Sequence, residues 1–225
     1  YMPGGPPMSP LYLSYFNCWA FCDLQVGRGK ETMASVLHNA SNVVPMEKTF
    51  LQYLKNFSES RMGLYRYQGI DGRLIRLEEL LTNKSFHVKS PLDYRGRPGE
   101  LWFVRLLPPA QPDHAPYLAF TTPYIIQPAE EMEWLSYLQR TLQKMRLKDK
   151  NLALHRLFKY GLTRQYWNEY IFEAYFNHEP QACYLKGIPD IDLSRPHSRA
   201  SEEQREVMAE KGGRHLLPID TPLHK

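Results

Sequence analysis

One stretch constrains this chain more than any other, residues 63–109, GLYRYQGIDGRLIRLEELLTNKSFHVKSPLDYRGRPGELWFVRLLPP. Short apolar-polar alternations are separated there by turn chemistry: Leu64 to Tyr67, Gly69 to Gly72, Leu74 to Leu77, Ser85 to Val88, a turn set at 93–99, then Leu101 to Leu107. Asp71-Gly72 between apolar runs is a strong hairpin signal, because tight hairpin turns need positive φ. The expectation is a small antiparallel β-barrel or strongly bent sheet of about five strands over residues 61–127. Such a shape names no reaction.

The flanking segments read as helical, which makes the class α+β with helices N-terminal and C-terminal to the barrel. Residues 1–9 hold three prolines and two glycines and read as an extended arm. Residues 10–60 follow as a helical segment: Ser9-Pro10 is a helix start, and Tyr12, Tyr15, Phe16, Trp19 and Cys22 recur at helical spacing over 10–23. A short helix follows over 31–38, and another from Pro45 carries Phe50, Leu51, Leu54 and Phe57. Residues 128–178 read as helical again, with acid in the first turns and Met132, Leu135, Leu138 and Leu142 as the apolar stripe. The basic residues Arg140, Lys144, Arg146, Lys148 and Lys150 read first as helix-end electrostatics and second as a phosphate patch. Residues 179–225 read as an irregular tail with one candidate helix, charged and poor in apolar residues.

The charge balance is a net +4, too small by itself to imply a nucleic-acid binder. Three cysteines, Cys18, Cys22 and Cys183, cannot make a closed disulfide framework, which points to a reducing cytoplasmic setting. No run approaches the roughly 18 apolar residues of a membrane span, so no membrane partner is expected. The sequons at Asn39, Asn56 and Asn83 then fit chance matches. The chain opens on Tyr1 rather than Met, consistent with a fragment or an unseen leader.

Several patterns could carry chemistry. Gly29-Lys30 with Thr32 lacks the glycine spacing of a phosphate loop and follows an aromatic helix, so it is set aside. Cys18 and Cys22 share a helical face but have no second pair at zinc spacing. Glu169, Glu173 and His178 read as a surface ladder. Asp190, Asp192 and His197 could hold a divalent cation for a hydrolase or nuclease, or simply form turns beside Pro189 and Pro196. Arg66, Tyr67, Arg73, Arg76, Tyr94, Arg95, Arg97 and Arg105 mix arginine with aromatics, the way small barrels hold single strands. Alternation leaves a second possibility open, with the aromatics facing inward and only the arginines outward. No cofactor and no catalytic set is expected. The leading expectation is a non-enzymatic interaction module bound to a larger protein, with nucleic-acid binding as the alternative.

The layout of residues 16–128 resembles a helix-plus-small-barrel module of uncharacterised bacterial proteins, some of which carry a C-terminal SEC-C metal motif. The likeness is carried by Trp19 and Asp23, Gly27, Gly29 and Thr32, Glu47 and Leu54, Gly63-Leu64-Tyr65, the phrase Leu77 to Thr82, and Pro98-Gly99-Glu100-Leu101 with Val104 to Pro108. The metal motif itself is absent, so the resemblance implies a fold and a bacterial cytosolic setting, and no zinc.

Overall fold

The computed structural model describes residues 10–92, 94–109, 115–128 and 130–189. Three helices come first, α1 (Pro10–Cys22), α2 (Met33–Ala40) and α3 (Lys48–Glu59). Strands β1 (Arg61–Asp71), β2 (Leu74–Glu79), β3 (Ser85–Lys89), β4 (Leu101–Leu107) and β5 (Tyr117–Ala119) follow, then β6 (Tyr124–Ile126). Helices α4 (Glu131–Lys144), α5 (Lys150–Tyr160) and α6 (Tyr166–Ala174) lead into a last hairpin, β7 (Tyr175–Glu179) and β8 (Ala182–Leu185). The class is α+β, with helices on both sides of the barrel in sequence, as the patterning implies.

The barrel closes because β4 is paired on both edges. Its first edge takes β1, from Arg61 opposite Leu106 to Arg66 opposite Leu101. Its second edge is divided, with β5 at Leu106–Leu107 and β6 at Leu101–Phe103. Since β3 pairs in parallel with β5, the ring runs β1-β2-β3-β5-β4 and returns to β1. This five-stranded ring has the connectivity of an OB-type barrel. Connectivity alone assigns no activity. Beyond it, β6, β8 and β7 extend the sheet as a wing, β6 and β8 being parallel.

Alternation along the strands sorts the side chains into two cores. Tyr65, Tyr67, Ile75, Leu77, Val88, Trp102, Val104 and Leu106 fill the barrel. Met62, Leu64, Leu101 and Phe103 face the other way and meet Tyr15, Trp134, Leu138, Leu157, Phe158, Trp167 and Tyr170 from the helices. Gly63 is required where it stands, because a Cβ there would lie 2.6 Å from Tyr65 Cε2. The β1–β2 turn is one residue later than Asp-Gly suggests. Asp71 still pairs with Leu74, and Gly72-Arg73 form the turn, with positive φ at Gly72 alone. That is what a II′ hairpin asks of its first central residue.

Other helix and strand limits also move. Helix α2 starts at Met33 because Thr32 and Ser35 form a reciprocal cap. The aromatic run Tyr166 to Tyr175 leaves helix at Ala174, where Tyr175 starts β7. The strands β6 and β8 are short and fully buried, so they show no alternation between faces, and β8 falls in the stretch that reads as an irregular tail from the sequence.

Candidate functional site

The barrel residues singled out for nucleic acid fall into three groups. Arg105 and Tyr67 are withdrawn from any surface: Arg105 is fully buried and Tyr67 is 2% exposed. Tyr67 stacks on Trp102 inside the barrel, rings 5.0 Å apart and 15° from parallel. Tyr94 tilts against the same indole at 5.5 Å, and its hydroxyl donates to Glu100 Oε2 at 3.3 Å. Burial, first of all, holds the Tyr94 phenol above its ordinary value. Arg66 is half-buried and committed, donating from Nε to Glu131 Oε2 at 2.9 Å and pairing also with Glu78. It ties β1 and β2 to the start of α4.

Arg73, Arg76, Arg95 and Arg97 are exposed. Arg76 stands opposite His87 in the β2–β3 ladder, and Lys89 lies two residues further along the same outward row. Arg76, His87 and Lys89 are therefore a basic stripe on the outer face of β2–β3. Asp71 Oδ2 sits 3.7 Å from His87 Nε2 and offsets part of it. The aromatics that would stack bases face the interior instead. His87 and Lys89 were legible from the alternation of residues 85–89, once the inward phase was set by Phe86 and Val88.

A second surface lies on the N-terminal helical hairpin. Among the described residues, six of the twelve exposed large hydrophobic side chains fall in residues 33–53: Met33, Val36, Val43, Val44, Phe50 and Tyr53. Met33 and Val36 are three apart and share a face of α2, and Phe50 and Tyr53 do the same on α3. Val43 is 84% exposed, in the turn between the helices. Beside Tyr53 runs a groove of about 620 Å³, lined by Gln52, Leu107, Pro108, Pro109, Pro116 and Leu118 among others. Asn56 fixes its floor by donating from Nδ2 to the Pro108 and Pro109 carbonyls, both at 3.1 Å.

What fixes this hairpin to the barrel is a buried charge cluster that sequence reading missed. Asp23, just past α1, accepts from Lys159 at Oδ1, 3.0 Å, and pairs through Oδ2 with Arg105. Lys159 also donates to the Cys22 carbonyl at 3.1 Å and the Ser60 carbonyl at 2.9 Å. Arg105 Nη1 donates to the Ser60 carbonyl and to Ser60 Oγ, both at 2.9 Å. Four distant parts of the chain thus meet: the ends of α1 and α3, strand β4 and helix α5. Both carboxylate oxygens accept from cations, so the charged form of Asp23 satisfies the geometry, although burial pushes its carboxyl above the ordinary range. Burial equally lowers the Lys159 ammonium, with Asp23 opposing.

Next to this cluster, Cys18 and Cys22 are buried thiols, and burial pushes Cys18 up to about 12. Neither is a nucleophile in this environment. The signal for the cluster was present as a lone arginine in LWFVRLL, since a charge amid a buried strand must find a partner. The partner, 82 residues away, was not legible.

Asp190, Asp192 and His197 lie outside the described residues. Among the described residues no group of three or more His, Cys, Asp or Glu side chains could hold a metal ion. Glu169 and Glu173 lie on α6, while His178 lies on β7 and bonds the Tyr175 hydroxyl through Nδ1 at 2.5 Å. No described helix is long and apolar enough to cross a membrane. No family model, curated protein or solved structure matches the chain.

Proposed function

We propose that this protein is a non-enzymatic interaction module, an accessory subunit that docks on a larger protein through its α2–α3 hairpin. One observation carries the reading: the hairpin turns Met33, Val36, Val43, Val44, Phe50 and Tyr53 outward while the buried Asp23 cluster ties the end of α3 to the barrel. Apolar side chains on a fixed support are what a docking surface needs, because little ordering entropy is left to lose on binding. The bacterial, cytoplasmic setting belongs to the same proposal. It rests on the resemblance of residues 16–128 and on three thiols that form no disulfide.

A photo-crosslinking side chain placed at Val43 tests this reading. It should capture one protein in cell extract at a level that Phe50→Glu abolishes, while the same probe at Arg73 captures little. Equal capture from both positions would defeat the proposal.

A second reading has its own support. The outer β2–β3 face of an OB-type barrel is where such barrels take oligonucleotides, and here it carries Arg76, His87 and Lys89, with Arg73 at its turn. It predicts single-strand binding that weakens steeply with salt and is lost in Arg73→Ala/Arg76→Ala.

A further inference from the structure

The junction of α4 and α5 carries a cluster of positive charge that neither reading uses. Lys144, Arg146, Lys148 and Lys150 are exposed, and among the described residues no ion pair engages them. Asp149 is the one acid between them, and it is occupied as the cap of α5, accepting from the Asn151 and Leu152 amides at 2.8 and 3.2 Å.

Ordinary helix electrostatics account for Lys144, in the last turn of α4, where a cation faces the negative end of the dipole. They do not account for the others. Lys150 is the first residue of α5, where a cation faces the positive end. Arg146 follows the α4 cap with φ +54°, a left-handed position where glycine is the unstrained choice. Two local rules are broken within the five residues from Arg146 to Lys150, each time in favour of a positive side chain. Breaks of local preference of this kind concentrate where a protein binds something.

The chemistry of the corner selects the ligand. Residues 140–152, RTLQKMRLKDKNL, contain no aromatic side chain on which a base could stack. A single-stranded ligand would gain little there. A membrane surface asks for apolar residues to insert, and Leu152, 43% exposed, is the one large hydrophobic side chain turned well out. Closely spaced phosphates with the bases hidden fit best. We infer that the α4–α5 corner is a sequence-independent site for the phosphate backbone of a double-stranded nucleic acid. It uses none of the residues of the docking hairpin or of the barrel face.

The test is fluorescence anisotropy of a labelled 20-base-pair duplex of arbitrary sequence, titrated with the full chain between roughly 50 and 200 mM salt. Four phosphate contacts predict a log–log salt slope of about −3.6, and Lys144→Ala/Arg146→Ala/Lys148→Ala should make it shallower by about 2.7. Arg73→Ala/Arg76→Ala should leave the slope unchanged. Arg146→Gly should weaken binding while Tm holds or rises, because it relieves the left-handed strain. Absence of duplex binding at low salt, a slope unmoved by the triple substitution, or loss through the barrel-face pair instead would overturn the inference. So would binding to phosphatidylserine vesicles without binding to the duplex, or a Tm fall of more than about 5 °C in Arg146→Gly, roughly the effect of a lost native contact at this chain length.

Discussion

Replacing Asp23 by Asn tests how the hairpin is held. The amide has nearly the volume of the carboxyl, so no cavity opens, and what changes is charge. In the native protein two buried cations, Arg105 and Lys159, share one carboxylate, a local excess of one positive charge. After substitution the excess is two, shielded from bulk solvent, since both cations are at most 2% exposed. Removing one member of a buried ionic group costs about 3 to 5 kcal/mol. For a chain of this length that corresponds to a Tm fall of about 6 to 20 °C, at about 2 to 4 °C per kcal/mol. A second substitution, Lys159→Met, returns the excess to one, so Asp23→Asn/Lys159→Met should be less destabilised than the two single losses added together, by about 1 to 3 kcal/mol. Recovery will be partial, because the Cys22 carbonyl loses the donor that Lys159 supplies. Urea unfolding of the four proteins at one pH measures the cycle. An Asp23→Asn cost below about 1 kcal/mol, or strict additivity, would refute the reasoning, because a buried pair this close must couple.

Three further perturbations follow from the same geometry. Burial, chiefly, with Arg61, Lys159 and Arg105 nearby, pushes His155 down to about 4, so the unfolded chain, titrating near 6.5, takes up the proton first. Stability should therefore be intact above about pH 6.5 and fall as pH drops towards 4, by about 1 to 2 kcal/mol once solvent screening of this half-buried ring is allowed for; His155→Gln should flatten the pH dependence of Tm over that window. Cys18 and Cys22 should resist iodoacetamide in the native protein at pH 8 and react on adding denaturant, and rapid native alkylation would place them elsewhere than in this core. Gly63→Ala forces a Cβ against the Tyr65 ring and should cost about 1 to 3 kcal/mol, whereas Gly63→Ala/Tyr65→Leu should recover part of it in the same urea assay.

What was legible in the sequence and what was not divide along chain distance. The β1–β2 hairpin, the β2–β3 pairing and the helices α1 to α6 follow from patterns a few residues long, so turn chemistry and periodicity reveal them. The parallel pairings β3–β5 and β6–β8 bring together segments far apart in sequence, and in strands of three or four residues nothing local announces a partner. Tyr175 illustrates the same limit. It continues the aromatic periodicity of α6, yet pairing with Leu185 claims it for β7. In the candidate site, exposure followed alternation. Arg73 and Arg76 stayed outside, whereas Tyr67 and Trp102 used their ring faces on each other, which removes the base-stacking platform that composition alone suggests. Arg105 reads as a surface cation when it is grouped with the other arginines and aromatics of the barrel; the carboxylate it pairs with, Asp23, stands just past α1, and the second cation on that carboxylate, Lys159, stands on α5.

The measurement that bears most directly on the proposed function is affinity purification of the tagged chain, alongside its Val43→Glu/Phe50→Glu variant, with and without nuclease, followed by quantitative mass spectrometry. The account predicts one protein recovered near stoichiometrically with the native chain, retained through nuclease treatment, and lost with the variant although the variant keeps the native Tm. Recovery that collapses on nuclease treatment, or that is the same for native chain and variant, would contradict a docking role for the α2–α3 hairpin.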